Sequence, residues 1–187
     1  NEHITELRDA ALQQLSPQYH LHQNSKDHHA FSAGFHPSDI LDSIASMRPT
    51  PGMRELITTL AEQGWDVAIL TDANTVFIVA GFLNLKISFQ DAITTIITNR
   101  AFWQNDRLFI EPCMRQTSCR LCPSNLCKSI ALAQLCKNKN YTRIVYSGDG
   151  RNDFCPSTKL LSNVSIIKAK VVPWIDAYTI INELFPK

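Results

Sequence analysis

The chain has 187 residues, 44% of them hydrophobic, and its 18 lysines and arginines nearly balance its 17 aspartates and glutamates. This length can bury the core of one domain with a small addition, and a formal net charge of +1 without a basic block argues against nucleic acid or an anionic membrane as a partner. No apolar run approaches the roughly 18 residues of a membrane span, and residues 1–6 lack the features of a signal peptide, so we expect a cytoplasmic protein.

Residues 1–46 are polar and have the periodicity of helices. Apolar side chains recur on one helical face of the first stretch, at Ile4, Leu7, Ala11 and Leu15. A histidine-rich connection follows, and the spacing of its five histidines fits no metal-ligand pattern well. Pro37-Ser38-Asp39 then indicates the start of a second short helix, so we expect no strand before residue 47.

From Pro49 onward, amphipathic helices alternate with apolar strands. A helix over residues 53–63 ends at Gly64, and a strand over residues 65–70 leads into a helix over residues 76–83. The alternation continues with predicted strands at 92–98, 141–147 and 163–167, and with predicted helices at 127–137 and 175–185. Strands and helices that alternate through short connections are typical of an α/β fold with an open parallel sheet.

A glycine-rich segment follows the predicted strand 141–147 directly. The run Gly148-Asp-Gly-Arg-Asn-Asp153 places two carboxylates, Asp149 and Asp153, on a turn whose glycines permit close backbone approach. Carboxylate oxygens are the ligands that Mg²⁺ prefers. A lone Asp-Gly pair is usually a solvated turn, but the complete run favours a Mg²⁺ site.

Two further polar positions occur at the starts of helices. Thr71 follows a strand, where its hydroxyl and N–H can bind an anion near the positive end of the next helix, although such a threonine can equally cap that helix. Lys128 opens the helix at 127–137, where a lysine is more often a solvated charge. Because ligands bind outside the carboxyl ends of parallel strands, we expect Thr71 and Asp149 to meet in one crevice.

Three segments carry a family resemblance: Trp65-Asp-Val-Ala-Ile-Leu-Thr-Asp-Ala-Asn-Thr75, Cys119-Arg-Leu-Cys-Pro-Ser-Asn-Leu-Cys-Lys128 and Ser147-Gly-Asp-Gly-Arg-Asn-Asp-Phe-Cys-Pro156. They resemble motifs of the phosphoethanolamine/phosphocholine phosphatase family of the haloacid dehalogenase (HAD) superfamily, and Val171-Val-Pro-Trp174 resembles that family's C-terminal tail. The resemblance covers residues 37–187. It implies a Rossmann-like parallel sheet of HAD type, with residues 1–46 as a small helical cap and residues 47–187 as the α/β core.

The resemblance also implies an activity, namely Mg²⁺-dependent hydrolysis of small phosphomonoesters through an aspartyl-phosphate. Family substrates include phosphoethanolamine, phosphocholine, pyridoxal phosphate and, in plants, pyrophosphate. The implied substrate-binding residues are Thr71, Asp72, Asn74 and Lys128, and the implied catalytic residues are Thr71, Lys128 and Asp149. Asp149 would ligate Mg²⁺, Asp153 would ligate it or orient its water, and Asp72 would meet an ammonium head group.

One family motif is missing from the sequence. The nucleophile lies in an Asp-x-Asp motif at the end of the first, central strand, and no Asp-x-Asp occurs in this chain. No strand-like apolar run precedes residue 65, so we expect the first central strand to be missing as well. The expectation is a fragment or alternative product of a phosphatase, with exposed sheet edges that favour marginal stability or self-association.

Two other classes of protein stay open. A catalytically silent binding or regulatory protein would keep Thr71, Lys128 and Asp149 as a pocket for an anion and Mg²⁺. A zinc-stabilised module is suggested by a cysteine group in which Cys119-x-x-Cys122 has a ligand spacing, the group being Cys113, Cys119, Cys122 and Cys127, with Cys155 as a further candidate. A second well-spaced pair is absent, so free thiols are the default expectation and disulfides are the least favoured.

Overall fold

The structure, a computed structural model, describes residues 29–31, 36–162 and 170–186. The strands are β1 (His29–Phe31), β2 (Ala68–Asn74), β3 (Thr95–Gln104) and β4 (Arg107–Glu111). The helices are α1 (Pro37–Ser46), α2 (Met53–Glu62), α3 (Thr75–Leu85), α4 (Phe89–Ala92), α5 (Lys128–Cys136), α6 (Phe154–Ser162) and α7 (Ala177–Leu184), with a 3₁₀ turn at Arg151–Asp153 before α6. The predicted α/β class is confirmed.

The sheet has the strand order β1-β4-β3-β2 within the described residues. Strands β2 and β3 are parallel, with Ala68 opposite Thr95 and Leu70 opposite Ile97, and α3 crosses between them as in a Rossmann-like unit. The pairs β3–β4 and β1–β4 are antiparallel. The parallel pair agrees with the predicted Rossmann-like sheet, and the described sheet as a whole is mixed because a hairpin extends this pair on one side.

The β3–β4 hairpin is a feature that the sequence analysis missed. Its two-residue loop, Asn105-Asp106, has φ values of 50° and 59°, which are left-handed conformations that Asn and Asp tolerate. Phe102 and Phe109 lie opposite each other on the paired strands, with parallel rings 5.6 Å apart. An Asn-Asp pair between two apolar runs was the available signal for this hairpin.

The apolar core lies on the helical faces around β2 and β3. One cluster joins α2 and α3 to the start of β3, through Ile57, Val79, Phe82, Ala92, Ile93 and Ile96. A second cluster joins α2 to α7, through Leu56, Ala177, Ile180 and Leu184. A third holds the start of α5 against β3, through Ile97, Leu126 and Ala131, with Leu70 of β2 packed against it. This third cluster holds the start of α5, and with it Lys128, beside the parallel pair of β2 and β3.

Two predicted features of secondary structure were wrong. Residues 141–147 form no strand, and their apolar side chains Ile144 and Val145 are exposed. A strand needs a hydrogen-bonded neighbour, and β2 is the last strand on that side of the described sheet, so the segment has none. The histidine-rich connection, expected to lack strands, contributes β1.

Several predictions fall on residues outside those described. The first predicted helix, with Ile4, Leu7, Ala11 and Leu15, and the strand predicted at 163–167 lie there. Of residues 1–46, which were predicted to form a cap, the structure describes only residues 29–31 and 36–46. Helix α1 packs against α3. Among the described residues, no helix has the length and apolar character needed to cross a membrane.

Candidate functional site

A buried ion pair joins two of the three motif segments. Nζ of Lys128, the first residue of α5, lies 2.7 Å from Oδ1 of Asp153, and both residues are less than one-tenth exposed. An ammonium and a carboxylate can be buried at such a place only because they pair with each other. The pair therefore marks a site where the chain holds charge away from water.

Local backbone geometry fixes the position of Asp153. The 3₁₀ turn Arg151–Asp153 closes with the Asp153 N–H donating to the Gly150 carbonyl, and the Gly150 N–H donates to Oδ2 of Asp153 at 3.0 Å. The Tyr146 hydroxyl donates to Oδ1 at 2.5 Å. Asp153 is thus held by three donors, of which two come from its own loop.

The surroundings of the Asp153 carboxyl and the Tyr146 hydroxyl determine the charge states of these two groups. Burial alone would raise the pKa of Asp153, but the hydrogen bonds from Lys128, Tyr146 and the Gly150 amide outweigh it, so the pKa lies below its usual value. Burial, and then the hydrogen bond to Asp153, raise the pKa of Tyr146 above its usual value. At neutral pH Asp153 is therefore a carboxylate and Tyr146 a protonated donor.

Residue 148, directly before Asp149, must be glycine because there is no space for a side chain at this position. A Cβ added at Gly148 would lie 2.8 Å from Oδ1 of Asp153 and would collide with the rest of that side chain. Asp149, the next residue, lies on the exposed part of the loop. The loop thus folds back over the Asp153 side chain while presenting Asp149 outward.

The carboxyl-terminal end of β2 meets the same loop through Asp72. Nδ2 of Asn152 donates to Oδ1 of Asp72 at 3.0 Å, which links the Thr71-Asp72 segment to the 3₁₀ turn. The Asp72 carbonyl accepts a bond from Nδ2 of Asn99 at 2.8 Å, and Oδ1 of Asn99 accepts the Cys113 N–H at 3.1 Å. Buried Asn99 therefore ties the end of β2 to the chain that follows β4.

Thr71 and Asn74 shape the entry to α3. Oγ1 of Thr71 accepts the Ala73 N–H at 3.2 Å, which leaves its O–H available as a donor. Oδ1 of Asn74 caps the helix by accepting the Phe77 N–H at 3.1 Å, and Asn74 is only 3% exposed. Asn74, which was itself predicted to bind substrate, thus has a structural role as the cap of α3.

The structure brings most of the predicted residues to one place. Asp72, Lys128 and Asp153 are linked by the contacts above, with Thr71 and Asp149 on the adjoining backbone. The sequence analysis missed Tyr146, Asn99 and Asn152 as contributors. Asn152 lies within the glycine-rich run, Tyr146 lies just before it, and Asn99 follows the apolar residues at the start of β3, so polar residues next to apolar runs were the available signal.

The oxygen donors of the loop fit a hard cation such as Mg²⁺. The Asp149 carboxylate lies at the exposed surface of the loop. Oδ1 of Asp153 accepts bonds from both Lys128 and Tyr146, which use its two lone pairs. Oδ2 accepts the Gly150 N–H and is the oxygen better able to face a cation or its water.

Four thiols cluster next to this site. The Sγ atoms of Cys119, Cys122, Cys127 and Cys155 all lie within 4.8 Å of one another. Cys127 and Cys155 are buried, and the other two are partly exposed. Cys113 and Cys136 are not part of this group, so the prediction that placed Cys113 among the candidate ligands is corrected.

The thiols differ in acidity. The backbone N–H of Leu121, followed by the Cys155 thiol, lowers the pKa of Cys119 to about 7. Burial raises the pKa of Cys122 and of Cys155 above the usual value. Burial also raises the pKa of Cys113, outside the cluster, to about 11.

Comparisons with known proteins agree with the motif resemblance. The chain is 38% identical over 138 residues to pyridoxal phosphate phosphatase PHOSPHO2 of Bos taurus, covering 70% of this chain and 56% of that protein. It is 30% identical over 173 residues to a thiamine phosphate phosphatase-like protein of Arabidopsis thaliana, covering 78% and 70% respectively. It is 29% identical over 132 residues to human phosphoethanolamine/phosphocholine phosphatase, covering 66% and 48%.

The matched region contains all the residues of the site described above. The chain spans about half the length of the first of these relatives, 56% in the case of the bovine protein. No solved structure matches the chain. The model of the family described as Putative Phosphatase matches residues 28–168, which include Thr71, Lys128, Asp149 and Asp153, and the chain belongs to that family.

Proposed function

We propose that this chain forms the phosphate-binding and Mg²⁺-binding part of a phosphatase site for small phosphomonoesters. The observation that carries the proposal is the convergence of the three motif segments. Lys128 pairs with Asp153, and Asn152 of the same turn bonds Asp72, the neighbour of Thr71. Three segments that are far apart in sequence thus supply a cation, a hydroxyl donor and carboxylates to one place.

Lys128 and Thr71 are the groups suited to a phosphoryl oxygen. A buried ammonium acts in surroundings of low polarity, where its attraction for a phosphate is stronger than in water. Nζ of Lys128 carries three N–H donors and gives one to Asp153, so two remain for a phosphate. The Thr71 O–H, next to the start of α3, adds a neutral donor on the other side.

Asp149, and Oδ2 of Asp153 or a water that it orients, would hold the Mg²⁺. The ion would supply positive charge to the phosphoryl oxygens. Asp153 would then contact Lys128 through one oxygen and the metal's surroundings through the other. In this way one carboxylate would set the distance between the two positive charges of the site.

Hydrolysis by the family's route needs a further carboxylate. In that route a carboxylate oxygen attacks phosphorus and displaces the alcohol, and water then hydrolyses the acyl phosphate. No Asp-x-Asp occurs among these 187 residues. This observation supports a second candidate function, a silent protein that binds phosphate and Mg²⁺ without turnover.

Asp72 is proposed to choose the substrate head group. Its carboxylate is exposed beside the Thr71 hydroxyl, and Oδ1 is fixed by Asn152. The other oxygen can accept a bond from an ethanolamine ammonium or attract a choline. Asp72→Asn should lower the preference for phosphoethanolamine over a neutral phosphomonoester, and an unchanged preference would remove this assignment.

The test separates binding from turnover. Titration calorimetry would measure the affinity for inorganic phosphate with and without Mg²⁺, in the wild type and in Asp149→Asn and Lys128→Met. Exposed residues outside the site give matched controls, Asp91→Asn and Lys137→Met. Phosphate release from phosphoethanolamine, phosphocholine, pyridoxal phosphate and pyrophosphate would be measured on the same proteins.

Each outcome decides between the candidates. Mg²⁺-dependent binding that both site variants lose and both controls keep supports the proposed site. Mg²⁺-dependent turnover in addition requires a nucleophilic carboxylate within the chain, whereas binding without turnover favours the silent protein. If the wild type neither binds phosphate nor releases it, the proposed function is wrong. Because Asp149 is exposed, Asp149→Asn should fold normally, so a loss of phosphate binding in this variant is not caused by misfolding.

A further inference from the structure

We infer that Cys119, Cys122, Cys127 and Cys155 form a tetrathiolate zinc site, and that this site positions the Lys128–Asp153 pair. The inference is independent of the proposed function, since it concerns four thiols that take no part in phosphate binding. The test of the zinc site measures metal content and lysine accessibility. The zinc site can therefore be refuted while the proposed function stands, and the proposed function can be refuted while the zinc site stands.

The spacing of the sulfur atoms matches a tetrahedral metal. With Zn–S bonds of about 2.3 Å, the four sulfur atoms of a tetrahedron lie about 3.8 Å apart. The Sγ atoms of Cys119 and Cys155 are 3.5 Å apart and those of Cys127 and Cys155 are 4.0 Å apart. All four lie within 4.8 Å of one another, so one ion at their centre can reach each of them with small adjustments.

The loop that carries the first two cysteines is built as a rigid turn. Nε2 of Gln116 donates to the carbonyls of Cys119, Cys122 and Pro123, at 3.3, 3.2 and 2.6 Å. Oε1 of the same buried side chain accepts the Cys119 N–H at 2.7 Å. One glutamine thus ties both ends of Cys119-x-x-Cys122, the ligand spacing of zinc ribbons, into the conformation that turns their thiols inward.

The chemistry of the donors favours zinc over the alternatives. Four thiolates in a tetrahedral arrangement select Zn²⁺ or an iron centre, and not Mg²⁺ or Ca²⁺. All four cysteines are free, and the 3.5 Å between the Sγ atoms of Cys119 and Cys155 is well beyond the roughly 2.0 Å of a disulfide bond.

The ligands connect directly to the ion pair. Cys127 precedes Lys128 and is the residue that caps α5, while Cys155 follows Asp153 by two residues in the first turn of α6. Cys119 and Cys122 come from the loop between β4 and α5. One ion would therefore join the starts of α5 and α6, the two elements that hold the ends of the 2.7 Å contact.

The first measurement is the metal content of the intact chain, expressed in zinc-containing medium and purified under reducing conditions without chelator. We expect one zinc per chain, released when a thiol-specific mercurial reagent is added. Cobalt exchanged into the site should give the visible spectrum of a tetrahedral tetrathiolate. Cys119→Ser and Cys122→Ser should lose the metal, whereas Cys113→Ser and Cys136→Ser, outside the cluster, should keep it.

The second measurement tests the effect on the ion pair. Lys128 is 8% exposed, so an amine-labelling reagent should modify it slowly in the zinc-loaded protein. After removal of zinc by a chelator under reducing conditions, labelling of Lys128 should rise by about tenfold or more, because the starts of α5 and α6 can then separate. Exposed Lys137, at the end of the same helix, is the internal reference and should label equally in both states.

The results that overturn the inference are specific. Wild-type protein without zinc and with all its thiols free for titration would remove the metal site. Thiols lost in pairs would replace it with disulfides, and a coloured, iron-containing protein would replace zinc with iron. Zinc present but Lys128 labelling unchanged on its removal would refute the positioning role. Both measurements are made on the wild-type protein, so their results remain valid even if a variant fails to fold.

Discussion

Asp153 and Lys128 illustrate how single residues of a motif can depend on contacts that lie outside the motif. Asp153 was predicted from the glycine-rich run, and Lys128 from the family resemblance, because a lysine at a helix start is by itself more often a solvated charge. The burial of both residues was not predicted, and neither was the hydrogen bond that the Tyr146 hydroxyl donates to Asp153. The motif shows that residue 153 is a carboxylate. The number of hydrogen-bond donors around this carboxylate depends on how the segments that carry Lys128, Tyr146 and Gly150 pack together.

Asp66 and Tyr141 give a residue-scale prediction about pH. The Tyr141 hydroxyl donates to Oδ2 of Asp66 at 2.6 Å, and this bond, followed by burial, raises the pKa of Tyr141 to about 12, while the same bond lowers the pKa of Asp66. The stability that Tyr141 contributes is fully present below its unfolded pKa of about 10 and is lost as pH rises through about 12. The contribution of Asp66 is present above about pH 3.9, its unfolded pKa, and is lost as pH falls below it.

The variant Asp66→Asn should return the Tyr141 pKa towards about 10. Tyrosinate absorbance measured during an alkaline titration reports this shift, with Tyr141→Phe used to assign the signal. Asp91→Asn, an exposed aspartate elsewhere, should leave the titration unchanged. A Tyr141 signal with the same midpoint in Asp66→Asn and in the wild type would contradict the prediction.

At the scale of elements, helices followed the sequence closely, whereas only some of the predicted strands formed. The predicted strands 65–70 and 92–98 correspond to β2 and β3, and the one predicted at 141–147 does not form. The predicted helices 53–63 and 127–137 correspond to Met53–Glu62 and Lys128–Cys136. Helix boundaries depend on local caps and on apolar spacing, both of which are visible in the sequence. A strand forms only beside a neighbour, so the apolar run 141–147 remains unpaired while the hairpin of β3 and β4 forms from signals that were overlooked.

Gly148 provides the element-scale prediction, since the turn there has no space for a side chain. Gly148→Ala should push Asp153 away from Lys128 and lower the free energy of unfolding by about 1–3 kcal/mol. Urea unfolding followed by circular dichroism measures this loss. Gly81→Ala, in the middle of α3 where an added Cβ meets nothing within 4 Å, should instead stabilise by about 0.5–1 kcal/mol. Equal stabilities for the wild type and Gly148→Ala would show that the turn can move aside.

At the scale of the whole molecule, the C-terminal helix is joined to the α/β core. The Ala177 N–H donates to the Pro51 carbonyl at 2.9 Å, and Tyr178 packs against Gly52, where an added Cβ would lie 2.9 Å from its ring. Ala177, Ile180 and Leu184 of α7 pack with Leu56 of α2. Helix α7 therefore completes the apolar face of α2 that the sheet leaves open.

The role of α7 leads to a stability prediction. Ile180 is 8% exposed, so Ile180→Ala removes buried methyl groups and should cost about 2–4 kcal/mol of the free energy of unfolding. Ile175, just before the same helix, is 90% exposed, and Ile175→Ala should change stability by about 0.5 kcal/mol or less. Urea unfolding of both variants provides the comparison. Similar losses in the two would mean that α7 is not part of the cooperative core.

The sequence by itself determined the family, the α/β class and the helices near residues 53–63, 76–83, 127–137 and 175–185. It also named Thr71, Asp72, Lys128, Asp149 and Asp153 as candidates for one site. It could do so because these features depend on the local spacing of apolar residues and on motifs whose residues are close together in the sequence. Only the tertiary structure decided that β2 ends the described sheet, that Asn152 joins Asp72, and that four cysteines, 36 residues apart at their ends, lie within 4.8 Å of one another. Those features depend on which segments become neighbours, and that is decided by the burial of helices against strands rather than by any local pattern.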